Sequence, residues 1–147
     1  MEYTKEQISE LKHWMLKNVA CLPGQDLSSI YSIMGPLHEQ IKPIPENIDL
    51  CVNLQMIFLC NSHLTSIPES ICQLTKLNHL DLSQNDLRSL PKDITKLSKL
   101  RTCNLIGNPN LVLTQTQFEF IIGLDHPFID LSVTVVPDST LAKDLFL

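Results

Sequence analysis

The sequence predicts an α/β solenoid in which short parallel strands on one side and short helical returns on the other stack at a fixed spacing between two caps. Three observations predict it. Leu and Ile fill 39 of 147 positions while Gly fills only 4. One apolar pattern recurs three times at a separation of 23 residues. The flanks on either side of it are amphipathic but follow a different pattern, as capping segments would.

Composition sets the outer bounds. A hydrophobic content of 44% with 18% charged residues is that of a folded chain. One compact domain of this length buries most of its apolar surface without a metal or disulfide staple. No stretch reaches the ~20 apolar residues needed to span a bilayer. The first residues, MEYTKEQISELKHWMLK, carry charge throughout and no apolar signal region, so a soluble cytoplasmic protein is expected. Cys21, Cys51, Cys60, Cys72 and Cys103 are odd in number, contain no C-x-x-C pair and sit mostly among apolar neighbours. They read as reduced, buried thiols. The net charge of −5 divides into −2 over residues 1–40, +1 over 41–111 and −4 over 112–147. With no dense basic face and no interleaved aromatics, nucleic acid is not an expected partner.

The repeats read IKPIPENIDLCVNL (41–54), LTSIPESICQLTKL (64–77) and LRSLPKDITKLSKL (87–100). Ile41, Leu64 and Leu87 coincide, as do Ile44, Ile67 and Leu90; Pro45, Pro68 and Pro91; Ile48, Ile71 and Ile94. Apolar residues three apart suit a short helical or 3₁₀ return, and Pro at its start sacrifices no hydrogen bond. Each row then runs into LQMIFLCNSHL (54–64), LNHLDLSQNDL (77–87) or LRTCNLIGNPNL (100–111). The period-two alternation turns Ile57 and Leu59, Leu80 and Leu82, and Cys103 and Leu105 inward from short strands. Asn85 and Asn108 are expected to turn inward and bond the loop backbone beyond the strand, a role Ser62 fills only in part. In the third copy Asn110 falls in the last Leu column.

The flanks are read as caps. Thr4-Lys5-Glu6-Gln7 fits a capping box, followed by Ile8, Leu11, Met15 and Val19 on one face with Trp14 beside them, which predicts a helix over about residues 5–18. Asp26 is expected to cap a second short helix carrying Leu27, Ile30 and Met34, stopped by Gly35-Pro36, so that a helical hairpin seals the N-terminal end. At the other end a helix from near Thr114 or Thr116 to Gly123 contains Phe118, Ile121 and Ile122. Alternating Ile129, Leu131, Val133 and Val135 then predict a strand added to the parallel sheet. Leu141 and Leu145 are expected to dock on this cap. The segments are 1–40, 41–111 and 112–147, within one structural domain.

Strand residues facing away from the core form rows: Met56, His79 and Thr102; Phe58, Asp81 and Asn104; Cys60, Ser83 and Ile106. Met56 and Phe58 are large apolar groups beside polar ones, as at a contact site, unless the N-terminal cap folds over them. Cys60, His79 and Asp81 have the types of a nucleophile, base and orienter, but Cys60 and His79 lie on adjacent strands four positions out of step, ~14 Å apart. A nucleophile and its base need ~3 Å. Cys60-x-x-His63 is an isolated pair without a second pair at zinc-site spacing, and no glycine-rich phosphate loop is present. No catalytic residue, metal or cofactor is expected. Arg88, Lys92, Lys96, Lys99 and Arg101 gather around the last repeat, where they serve as solvating charge or dock an acidic partner.

The 23-residue unit with its I/L-P step and the L-x-x-L-x-L-x-x-N-x-L run of Leu77, Leu80, Leu82, Asn85 and Leu87 closely resembles intracellular leucine-rich-repeat proteins, the type found in Ras-associated scaffold proteins and many bacterial proteins. That resemblance implies a short right-handed horseshoe with the sheet on its concave face, a monomer that binds another protein through that face. A helical hairpin carrying Trp14 directly before the repeats also resembles the start of bacterial secreted effectors with a leucine-rich-repeat domain, some of which continue into a ubiquitin-ligase domain. Those ligases use shorter repeats, and no ligase residue carries over. The expected function is non-enzymatic protein binding, by an effector acting on a host protein after delivery without a cleavable signal. The alternative is the recognition or scaffold subunit of an enzyme complex such as a ubiquitin ligase or phosphatase.

Overall fold

The computed structural model describes residues 3–19, 25–35 and 40–139. Helix α1 (Lys5–Asn18) precedes strands β1 (Ser32–Met34), β2 (Met56–Phe58), β3 (His79–Asp81), β4 (Thr102–Asn104) and β5 (Val112–Thr114). Helix α2 (Gln115–Ile122), β6 (His126–Phe128) and β7 (Thr134–Val136) complete the order. Strands β1-β2-β3-β4-β6 form one parallel sheet, and β5 and β7 form a second, two-stranded parallel one. The register is the one the repeat requires: Ile57, Leu80 and Cys103 are Cα partners across β2, β3 and β4.

The returns are 3₁₀ turns at Ile48–Leu50, Glu69–Gln73 and Ile94–Lys96. Each begins by donating from the repeat isoleucine to the proline carbonyl three residues earlier, Ile48 to Pro45, Ile71 to Pro68 and Ile94 to Pro91, all at 3.2 Å. Pro has no N–H to lose there, while its carbonyl closes the turn. The core between turns and sheet is built from the aligned columns, including Ile48, Ile71 and Ile94, Leu54 and Leu77, and Ile57, Leu80 and Cys103, all buried. Asn85 and Asn108 are buried with them and tie consecutive repeats together. The Asn85 side chain accepts from Ser62 N and Leu64 N at 3.1 and 2.9 Å, and its amide donates to the carbonyls of Leu59 and Leu82. Asn108 likewise accepts from Leu87 N and donates to Leu82 and Leu105.

The N-terminal helix follows from its sequence: Thr4 and Gln7 form the capping box, and Leu11, Trp14 and Met15 are buried. It is fixed to the first repeat by polar bonds as well as packing. Trp14 Nε1 donates to Lys42 O at 3.0 Å, Lys42 N to Asn18 Oδ1 at 3.0 Å, Asn47 Nδ2 to Gln7 O at 2.6 Å and Tyr3 OH to Asp49 Oδ1 at 2.7 Å. Burial first, then that bond to Asp49, pushes the Tyr3 phenol up to about 12.

Beyond α1 the expected helical hairpin does not form. Asp26 caps only a 3₁₀ turn at Leu27–Ser29, accepting from Ser28 N at 2.9 Å, and the chain then enters β1. Ile33 is the inward residue of that strand, paired with Ile57, while Met34 is exposed. Gly35 occupies the position equivalent to Leu59, because a Cβ there would lie 2.9 Å from Leu59 Cδ2.

At the C-terminal end α2 is as expected: Thr114 caps it in a second capping box with Gln117, and Ile121 is buried. Gln117 also donates to Pro91 O at 3.0 Å, locking the helix to the last repeat. The strand expected over 129–135 is corrected on two counts. The segment that joins the main sheet is β6, before it, and the alternation is broken by a turn at a fully exposed Leu131. Only its end, β7, is a strand, and that pairs with β5 instead. The last Leu column of the third copy is filled by buried Leu111, one residue after exposed Asn110. Leu141 and Leu145 lie outside the described residues.

Candidate protein-binding face

Each strand of the main sheet is three residues long, so its middle residue enters the core and its two ends face outward. Parallel pairing then sets the ends into rows. One runs Ser32, Met56, His79, Thr102, His126; the other runs Met34, Phe58, Asp81, Asn104, Phe128. The structure therefore brings together Met56, Phe58, His79, Asp81, Thr102 and Asn104 as the sequence rows anticipate. It adds Ser32 and Met34 on one side and His126 and Phe128 on the other. Their signal was present: Ile33 precedes Ile57, and Pro127 follows Cys103, by 24 residues. Neither flanking strand has the Leu framework that marks the repeats.

Apolar groups stand at both ends of the face. Met34 is 58% exposed, Met56 37% and Phe128 46%. Strand β1 lies beside β2 in the sheet. The centre is polar and tightly organised. The rings of Phe58 and His79 stand 4.6 Å apart at 39°. Asp81 Oδ1 accepts from Ser83 N and Ser83 Oγ at 3.0 and 2.6 Å, and its Oδ2 accepts from Asn104 Nδ2 at 3.2 Å. Ser83 is thus buried beneath Asp81 and spends its hydroxyl on it.

Cys60 is half-buried just beyond β2, where its carbonyl accepts from Ser62 Oγ at 3.2 Å, and Ile106 is exposed at the equivalent position after β4. The chain turns there through left-handed backbone at Asn61, Gln84 and Gly107. His79 meets Phe58, and Asp81 meets Ser83 and Asn104. Burial pushes the Cys103 and Cys72 thiols up to about 12, with Glu69 adding to the effect at Cys72. Among the described residues no group of three or more His, Cys, Asp or Glu side chains could hold a metal ion, and no helix is long and apolar enough to cross a membrane.

The basic residues of the last repeat lie off this face. Lys96 pairs with Asp93 at 2.6 Å and Arg101 lies 3.9 Å from Asp125, while Arg88, Lys92 and Lys99 are exposed.

A repeated strand, an inward Asn and a 3₁₀ return, stacked into one parallel sheet, define a leucine-rich-repeat solenoid. Residues 52–109 match the family model described as leucine rich repeat, so this part of the chain is a leucine-rich-repeat array. No curated protein gives a significant match. The family is typically a protein-interaction module and generally acts without catalysis.

Proposed function

We propose that this chain binds another protein through the outward, concave face of the five-stranded sheet and catalyses no reaction itself. The carrying observation is the pair of in-register rows, in which exposed Met34 and Met56 border Phe58, His79 and the Asp81 carboxylate. Large apolar side chains around an ordered polar centre match the composition of interface hot spots. In this reading Met56, Phe58, Cys60, His79, Asp81, Thr102, Asn104 and Ile106 contact the ligand, and Ser83 acts by holding Asp81. The two flanking caps keep the array closed. An effector's host target is the ligand class suggested by the Trp14 helix ahead of the repeats.

The test is affinity capture with wild type beside Phe58→Asp, with folding checked by circular dichroism. A charge in the centre of a desolvated contact costs several kcal/mol, so captured ligand is expected to fall at least about tenfold. Equal capture by a folded Phe58→Asp would overturn the assigned surface. Recovery of ligase or phosphatase subunits would identify the chain as a recognition subunit.

A further inference from the structure

Resting on that protein-binding reading, we propose that the face receives a cationic side chain of the partner, an arginine flanked by apolar residues, at Phe58, His79 and Asp81. Charge is the first argument. Among the described outward residues of the five strands, Asp81 is the one acidic group, and none is Lys or Arg. Of the two acids flanking β6, Asp130 spends Oδ2 on Gly107 N at 2.8 Å and Asp125 lies 3.9 Å from Arg101. Among the described residues of the two rows, Asp81 therefore has no Lys or Arg neighbour.

Geometry is the second argument. Ser83 and Asn104 fix the carboxylate with three donors, two on Oδ1 and one on Oδ2. A carboxylate offers about four acceptor positions, so Oδ2 retains one. A receptor held this way loses little rotamer freedom on binding. Phe58 is the Cα partner of Asp81, about 4.8 Å away across the sheet, and His79 holds the Phe58 ring from the neighbouring strand. A guanidinium laid on that ring can donate its edge to Oδ2, using stacking and a charge-assisted hydrogen bond together. A lysine ammonium makes the second contact but not the planar stack, which favours arginine. Exposed Met34 and Phe128 close the two ends of the same row, which is why the residues flanking the cation are apolar.

The test is selection of displayed random linear peptides on the immobilised full chain. The expected result is enrichment of sequences with one Arg between apolar residues. The synthetic consensus peptide should lose at least about tenfold in affinity when its Arg becomes Gln, or when the chain carries Asp81→Asn. Thr102→Lys brings a cation to the face without removing a hydrogen bond of Asp81, and should weaken the same peptide. It serves as the second variant should Asp81→Asn melt early. Enrichment without a basic position, no enrichment, or affinity unchanged in folded Asp81→Asn and Thr102→Lys overturns the inference. The two readings separate in the capture experiment. Because a carboxylate at position 58 would itself attract the cation, Phe58→Lys is added there: ligand lost in Phe58→Lys but kept in Asp81→Asn leaves the face standing and removes the cation, whereas ligand kept in both removes both.

Discussion

At the scale of single residues, position 85 and its equivalents show how one side chain can stand in for missing backbone partners. After β2, β3 and β4 the chain bends back at left-handed residues, and the N–H and C=O groups on the inside of the bend have no ladder to join. Asn85 carries both an acceptor and two donors on one short side chain, and it serves Ser62, Leu64, Leu59, Leu82 and Ser83 at once. Among the described residues the hydroxyl of Ser62, its counterpart one repeat earlier, donates only to Cys60 O at 3.2 Å. Asn85→Ala strips several buried backbone groups of their partner at roughly 1–3 kcal/mol for each one left unsatisfied. Allowing for relaxation, a loss of about 2–4 kcal/mol is expected in urea unfolding, with Asn85→Ser falling between the two. A loss below about 0.5 kcal/mol would mean that water replaces the amide. This role was legible in the sequence because Asn is placed where the apolar columns stop. The left-handed conformation of Asn61 and Gln84 was not legible, since neither residue demands it and only Gly107 in the same column hints at it.

At the scale of elements, helices α1 and α2 were legible because each opens with a capping box and then buries one stripe. Strands β1 and β6 were not, because local spacing pointed elsewhere. Leu27 and Ile30 three apart imitate a helix face, and the alternation after Phe128 imitates a longer strand. What decides both is the neighbour: β1 and β6 are strands because β2 and β4 offer free edges with an unfilled core column beneath. The same dependence governs the C-terminal clasp. Asp138 Oδ1 accepts from Thr116 N at 3.1 Å and Oδ2 from Thr116 Oγ at 2.5 Å, in the first turn of α2. The side-chain bond from Thr116, then the backbone one, holds the Asp138 carboxyl below the ordinary aspartate range. A lowered folded value means the ionised form is favoured by folding. The clasp therefore contributes fully above the unfolded aspartate value, near about 4, and is lost as pH falls through the lowered folded one. Hydrogen exchange, corrected for its intrinsic pH dependence, should show protection at Thr116 and over 134–138 at pH 6 that declines below about pH 4. Asp138→Asn should show the weaker protection at both pH values. Undiminished protection of wild type at pH 3 would show that β5–β7 pairing alone holds the segment.

At the scale of the whole molecule, a stack of strands has two ends, and an open edge invites a second chain to continue the sheet. The repeat columns over 41–111 made the stack legible, but they could not show how it stops, because stopping depends on residues that leave the pattern. At the β6 end the sheet formed by the described residues terminates with His126–Phe128. His126 N donates back to Arg101 O at 3.0 Å, and Phe128 O accepts from Leu105 N at 2.7 Å. Both outer residues of β6 thus turn their backbone toward β4, and the residue between them turns its own toward the open edge. That residue is Pro127, which has no N–H to offer, so the edge presents a carbonyl without the donor a further strand needs. Its side chain meanwhile occupies the inward column beside Cys103, half-buried. Pro127→Val keeps an apolar group in that column, favours extended backbone and restores the missing donor. It is expected to raise concentration-dependent self-association above that of wild type, read by size-exclusion chromatography with light scattering. The secondary-structure content by circular dichroism should stay unchanged. If Pro127→Val elutes as wild type does over the full concentration range, the edge is protected by something other than the missing N–H, and exposed Leu131 beyond it is the next position to vary.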